Sequence, residues 1–352
     1  MSIERTPLRR RAVWLLAAGA LAVAGITGLS TMAASADPVL PPLSPAELLT
    51  KVAQAHPDGL TATFEQRSDL GLPSLSGIGG SDGADLQSAL SLLTGNHTVR
   101  VWLAGTDQSR VALVDGSSET AAIRNGDQLW LWSSDKQQAK HATLTAGERP
   151  TTTPTSPTDA VQRLLAAVEP TTNVTTSGTG TVAGRPVYQL VLTPKDDASL
   201  VSQVRISVDS TTFVPLAARV VADDGSDALS FAATSVDFSR PADSIFAFTP
   251  PPGAEVSELK PPTSTSPEPK KDAVKPTIVG TGWTTVAVAK FDLGKADQTA
   301  KALLQSLPEV SGSWGTGRLL STTLVNAVIT DDGRVAVGSV DPEKLYSALA
   351  KR

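Results

Sequence analysis

Apolar and polar residues alternate along most of the chain, in short runs bounded by Gly, Asp or Asn. "TATFEQRS", "HTVRVWLAG", "SRVALVDG", "ETAAIRNG" and "DQLWLWSS" follow one another between Thr61 and Ser134. A period of two with polar turns predicts half-buried strands joined as hairpins. The pattern resumes in "RPVYQLVLTP", "SQVRISVD", "PLAARVVADDG", "ALSFAATSVDF" and "SIFAFTP". Two stretches switch to the helical period. "SPAELLTKVAQAH" offers Ser44 as N-cap, Pro45 at the first position, Glu47 at the third and an apolar stripe of Leu48, Leu49 and Val52. "TDAVQRLLAAVE" places Val161, Leu164, Leu165 and Val168 on one face. The expectation is a mainly β, α+β fold: a meandering antiparallel sheet with a few helices, not a parallel α/β sheet.

Some strands are apolar on both sides. In "QLWLW", Trp130 and Trp132 share one face while Leu129 and Leu131 share the other. In "VYQLVL", Tyr188, Leu190 and Leu192 oppose Val187 and Val191. A sheet with one wet face alternates more cleanly, as "QVRISV" does. Part of the sheet is therefore covered on its second face, by ordinary core or around a cavity.

Proline marks the divisions. "SRPADSIFAFTPPPGAEV" reads as a last strand, "SIFAFT", ended by Pro250, Pro251 and Pro252, which cannot donate to a ladder. "SELKPPTSTSPEPKKDAVKPT" (257–277) has no apolar period and reads as a semi-extended linker. It separates a large domain, 37–256, from a small one, 278–352. The small domain reads as a strand in "GTGWTTVAVAKFD", a helix in "ADQTAKALLQSL", strands around an Asp332-Gly333 hairpin, and a helix from Asp341 as N-cap. "GERPTTTPTSPTD" reads as a surface loop inside the large domain, and 69–96 as an insertion into a hairpin.

The N-terminus has Arg9, Arg10 and Arg11, an apolar run from Val13 to Leu29, and "ASA" at 34–36. This is the layout of a signal peptide over 1–36, cleaved after Ala36; an uncleaved N-terminal anchor is the alternative. The expected location is extracytoplasmic. Cleavage takes Lys plus Arg from 30 to 26 and Asp plus Glu from 35 to 34, a net of −8. That balance argues against a nucleic-acid partner and against a polybasic grip on anionic lipid. Without Cys there is neither a disulfide framework nor lipidation at a Cys.

Catalytic chemistry finds little support. "GGSDG" matches G-x-S-x-G around Ser81, but no apolar strand precedes it, and no motif ties His56, His97 or His141 to it. With no Cys and scattered His a zinc site is unsupported, Asp223-Asp224-Gly225 and Asp331-Asp332-Gly333 read as hairpin turns, and no Gly-rich loop opens a helix to cradle a phosphate. The expectation is a non-enzymatic protein with no catalytic residues, metal or cofactor.

Four stretches, in order, resemble the periplasmic lipoprotein carriers of the LolA family: "TATFEQ" (61–66), "NGDQLWLW" (125–132), "YQLVLTPK" (188–195) and "IFAFTPPPGAEV" (245–256). A half-barrel, a linker and a small domain together resemble the RseB/MucB regulators of anti-sigma factors, and "VAVGSVDPEKL" (335–345) is similar to that family's ending. The resemblance implies a curved antiparallel half-barrel plugged by helices, with an apolar cavity for the acyl chains of a lipid or lipoprotein. Candidate wall residues are Trp102, Leu103, Leu113, Leu129, Trp130, Trp132, Tyr188, Leu190, Ile206, Phe231, Phe246 and Phe248. Leu86, Leu90, Leu92 and Leu93 of the insertion are candidates for a lid over the cavity; a passive excursion is the alternative. "LAGTDQSR" follows Trp102, where the carriers have a basic residue with Pro, so a carrier-type latch is not expected. The expected role is an exported carrier that binds the acyl chains of a lipid or lipoprotein; the alternative is an envelope sensor acting on a membrane protein such as an anti-sigma factor through the small domain.

Overall fold

The computed structural model describes residues 40–71, 95–144, 157–259, 275–295, 301 and 304–351. The expected signal peptide, the four lid leucines and most of the expected linker lie outside the described residues. Eleven strands pair antiparallel in two meanders. The first runs β1 (Gly59–Ser68), β2 (Gly95–Ala104), β3 (Gln108–Asp115), β4 (Ser118–Asn125), β5 (Gln128–Ser133) and β6 (Gln138–Thr143). The second runs β7 (Thr172–Val182), β8 (Arg185–Pro194), β9 (Val201–Asp209), β10 (Pro215–Ala222) and β11 (Asp227–Asp237). Pairing of β1 with β11 joins them into one curved, unclosed sheet. Most sequence-adjacent strands are joined by tight turns, while β1 and β2 pair across the inserted residues. Gly116 and Gly126 stand at φ 56° and 63°, conformations in which a side chain is disfavoured, and they turn β3 into β4 and β4 into β5.

Helix α1 (Pro45–Gln54) starts at Ser44 with a full capping box: Ser44 Oγ accepts from the Glu47 amide, and the Glu47 carboxylate accepts from the Ser44 amide at 2.8 Å. Those bonds hold the Glu47 carboxyl below its ordinary range, led by the Ser44 hydroxyl. The predicted stripe is what α1 buries: Leu48, Leu49 and Val52 pack on Tyr188, Leu190, Leu192, Ile206 and Val208. Helix α2 (Pro157–Val168) buries Val161 and Leu165 and packs beside α1.

"SIFAFT" is not the final strand. Asp243–Ile245 forms a 3-10 turn, and the chain from Ser239 to Ala254 crosses the β3–β5 face of the sheet as a strap. At its start the strap lies against Gly59, where a Cβ would come within 2.4 Å of the Arg240 backbone. Arg110 Nη1 donates to the Ile245 carbonyl, and Phe246 is buried. The alternation in the sequence is satisfied here by packing across a face instead of pairing in a ladder. Beyond the prolines, β12 (Glu255–Glu258) pairs parallel with β6 at the sheet edge, so the ladder extends into residues expected in the linker.

A second, six-stranded sheet contains β13 (Thr277–Val279), β14 (Val286–Lys290), β15 (Glu309–Gly312), β16 (Gly315–Ser321), β17 (Asn326–Thr330) and β18 (Arg334–Gly338). Its central order β14-β18-β17-β16 places the Asp332-Gly333 turn between β17 and β18, as expected. In "GTGWTTVAVAKFD" only Val286–Lys290 is strand; Gly282–Thr284 is a 3-10 turn. Helix α3 (Pro342–Ala350) packs Leu345, Ala348 and Leu349 against Val286, Val328 and Ala336. Asp341 occupies the N-cap position without a side-chain capping bond.

The two sheets touch. Ser199 forms an antiparallel bridge with Val340, the Leu200 amide donates to the Ser339 carbonyl, Trp283 Nε1 donates to Thr172 Oγ1 at 2.7 Å, and Lys344 Nζ lies 3.6 Å from Asp196.

Candidate functional site: the inner sheet face

Strand register sorts the sequence candidates onto two faces, because directly paired residues point the same way. One set joins Ala62, Val101, Val111, Ala122, Leu131 and Lys140 in a row across β1 to β6. A parallel row holds Leu60, Leu103, Ser109, Arg124, Leu129 and Ala142. Across the β1–β11 seam, Phe231 pairs with Gln66 and stacks on Phe64 with ring centroids 4.2 Å apart. The same face continues through Ala218 and Ile206 to Leu190, where α1 covers it. This is the inner face.

Its burial is uneven. Leu60, Ala62, Phe64, Val99, Phe231 and Ala233 form a closed core. Leu190 and Val208 are sealed by α1. Over β3 to β5 the face is open among the described residues: Val111 is 41% and Leu131 38% exposed, with Ala122 exposed between them. Leu164 of α2 is also exposed. The row reaches the exposed Lys140 of β6, a cation one strand in from the β12 edge, where Ser257 pairs with it. From Ala62 to Lys140 it crosses five inter-strand gaps, about 24 Å at normal spacing.

Seven candidates lie on this face: Leu103, Leu113, Leu129, Tyr188, Leu190, Ile206 and Phe231. Trp102, Trp130 and Trp132 lie on the other face, under the strap that carries Phe246 and Phe248. Phe248 sits 5.4 Å from Trp130 and 5.8 Å from Trp132, centroid to centroid. His141 packs on Trp130 with ring centroids 4.2 Å apart, and its Nε2 meets Gln128 Oε1 at 2.6 Å. The apolar second face read in "QLWLW" is thus real, and on the Trp side its cover is the protein's own strap. Sequence reasoning passed over Val111, Ala122, Leu131 and Lys140. The signal for two of them was present: Leu131 alternates with Leu129, and Val111 with Leu113.

The β8–β9–β10 end of the sheet is pinned by an ion pair. Asp209 is fully buried and takes Arg185 in a two-pronged contact, at 2.6 Å from Nε and 3.1 Å from Nη2. It also accepts from the Thr211 and Thr212 amides and the Thr212 hydroxyl. Burial pushes the Asp209 carboxyl up, but Arg185 and the threonine bonds outweigh it and hold the pKa below the ordinary value. The same hydrogen bond raises Arg185. The pair is structural: its hydrogen bonds are internal. Among the described residues no group of three His, Cys, Asp or Glu could hold a metal ion. No helix of the described residues is long and apolar enough to cross a membrane.

Residues 91–257 match the MucB/RseB N-terminal domain family. No curated protein matches the chain. Among solved structures, a chain of the Pseudomonas aeruginosa MucA/MucB complex is 15% identical, with 86% of this chain and 96% of that one covered and a TM-score of 0.43. An uncharacterized conserved protein from Thermus thermophilus is 10% identical over 60% of this chain and 98% of its own, with a TM-score of 0.36. A LolA superfamily protein from Nitrosomonas europaea is 14% identical over 59% and 99%, with a TM-score of 0.24.

Proposed function

We propose that this chain, whose residues 91–257 match the MucB/RseB N-terminal domain family, is an exported, non-enzymatic binding protein whose inner sheet face takes the acyl chains of a lipid or lipoprotein. The observation that carries this reading is the open apolar row Val111, Ala122 and Leu131, which continues the core-packed Val101 and leads to Lys140. Exposed apolar area on a curved face gains free energy when a hydrocarbon covers it, and a cation at its end suits an acidic headgroup. Each buried CH₂ contributes about 0.8 kcal/mol. A fluorescent fatty-acid probe should bind the exported protein, with affinity rising along a chain-length series. Folded protein that binds no member of the series refutes the reading.

The family match also favours a second role, in which occupancy is relayed to a membrane protein such as an anti-sigma factor. One similar solved structure is MucB in complex with MucA(peri), a partner bound by that protein. The second sheet, docked beside β8 and β9 through Ser199 and Leu200, is the part proposed to make such a contact here. Pull-down from the detergent-solubilised membranes of the source cell should recover one membrane protein, in an amount that changes when the bait is preloaded with fatty acid. Equal recovery by loaded and unloaded bait leaves the carrier role standing and removes the sensor role.

A further inference from the structure

The outer face of the same sheet carries a row of arginines that the lipid-binding reading does not use. Arg205 of β9 and Arg219 of β10 are directly paired across the ladder. Arg219 in turn pairs with Ser230 of β11, and Ser230 with Arg67 of β1. Like charges directly opposite one another destabilise a strand pair. Arg219 has a carboxylate at 3.3 Å, Asp227, while the contact of Arg205 is the neutral Gln203 amide oxygen at 2.5 Å. Both arginines are exposed.

They border a concavity of about 360 Å³. Gln189, Ser207 and Ser230 form the rest of its polar wall, and the β7–β8 turn at Thr181–Ala183 closes one side. No carboxylate lines it; Asp227 lies beside it, and Glu65 stands one pair along β1 from Arg67, opposite Ala232. Gly180 leaves room for Gln189 beneath the turn: a Cβ there would come within 2.9 Å of Gln189 Nε2.

We propose that this concavity, with Arg205 and Arg219 on adjacent strands, is a binding site for a phosphate monoester. Two arginines on strands about 5 Å apart offer more donors than one carboxylate accepts, and they suit the several oxygens of a tetrahedral dianion. The hydroxyl and amide groups of Ser207 and Gln189 add neutral donors to the same hollow. The phosphoryl group has two possible sources, a soluble metabolite and a lipid headgroup, and the chemistry of the site is the same for both.

The test is titration of the exported protein with inorganic phosphate at constant ionic strength, beside flotation with phosphatidylcholine vesicles that contain or lack phosphatidic acid. Wild type should bind phosphate saturably, or float only with phosphatidic acid, or do both; these outcomes identify the source. Arg205→Gln should weaken whichever binding is seen roughly tenfold or more, the loss expected for one charge-assisted contact. Arg318→Gln, in the second sheet, should bind as wild type does. In phosphate-free buffer Arg205→Gln should unfold no earlier than wild type, because it relieves the Arg205–Arg219 opposition; that separates loss of binding from loss of fold. Wild type that binds neither probe, or Arg205→Gln that binds as tightly as wild type, overturns the proposal.

Discussion

Removing the two exposed inner-face side chains together, Val111→Ala and Leu131→Ala, should weaken fatty-acid binding by an amount their present exposure sets. Leu131 is 38% and Val111 41% exposed, and that area is what a ligand can still cover. Full burial of such a side chain is worth roughly 1.5–3 kcal/mol, so the uncovered part is worth about 0.6–1.2 kcal/mol for each. The two lie on β5 and β3 with Ala122 of β4 between them, about 10 Å apart, so their effects should add. The pair should therefore cost about 1.2–2.4 kcal/mol of binding, a rise in Kd of roughly 8- to 60-fold. Stability supplies an independent reading. The parts already buried should cost about 1–2 kcal/mol each, below the 2–5 of a fully buried Leu→Ala. Leu190→Ala is the opposite case: it is sealed by α1, so it should lose the full stability penalty with little change in Kd once folded. The assay is probe displacement followed by fluorescence, with chemical denaturation of the same samples. A folded double variant that binds as tightly as wild type would show that the ligand does not lie along this row.

Phe246→Ala should destabilise the large sheet by about 3–5 kcal/mol, because the strap carries this ring and buries it fully; a change below about 1 kcal/mol in denaturant titration would mean the strap is dispensable. Asp209→Asn should cost about 2 kcal/mol, less than a sealed ion pair because Arg185 still reaches water. Asp209 has a lowered pKa, so its contribution is fully present above the unfolded value near 3.9 and is lost as pH falls through the lower folded value. Asp209→Asn should flatten the acid limb of a stability–pH curve below about pH 4, and an unchanged limb would assign it to other carboxylates. Limited proteolysis should cut first within 260–274, where Pro, Ser and Thr dominate the sequence; first cuts elsewhere would move the domain boundary.

What the sequence made legible was local. The meanders followed from alternation and glycine turns, α1 from Ser44, Pro45 and Glu47, and the β17–β18 hairpin from Asp332-Gly333. What it hid depends on register and on distance along the chain. "SIFAFT" alternates as a strand does, but alternation reports an extended chain with one buried side, and a strap over Trp130 and Trp132 meets that condition as well as a ladder would. The division of the aromatic candidates between two faces needed the pairing of β4 with β5 and of β2 with β3. Arg205 and Arg219 are fourteen positions apart in sequence and become neighbours only through the β9–β10 register.

The strap and β12 also set a mechanical relation. The chain leaves the large sheet at the β12 edge, while the second sheet is held by Ser199 and Leu200, between β8 and β9 and close to the opposite edge. Those two points therefore lie near the two ends of an arc, and the line between them is its chord. When an arc tightens its chord shortens, and when it flattens its chord lengthens. Any ligand that alters the curvature of the twelve strands therefore changes the distance between the point where the chain leaves the large sheet and the point where the second sheet is held.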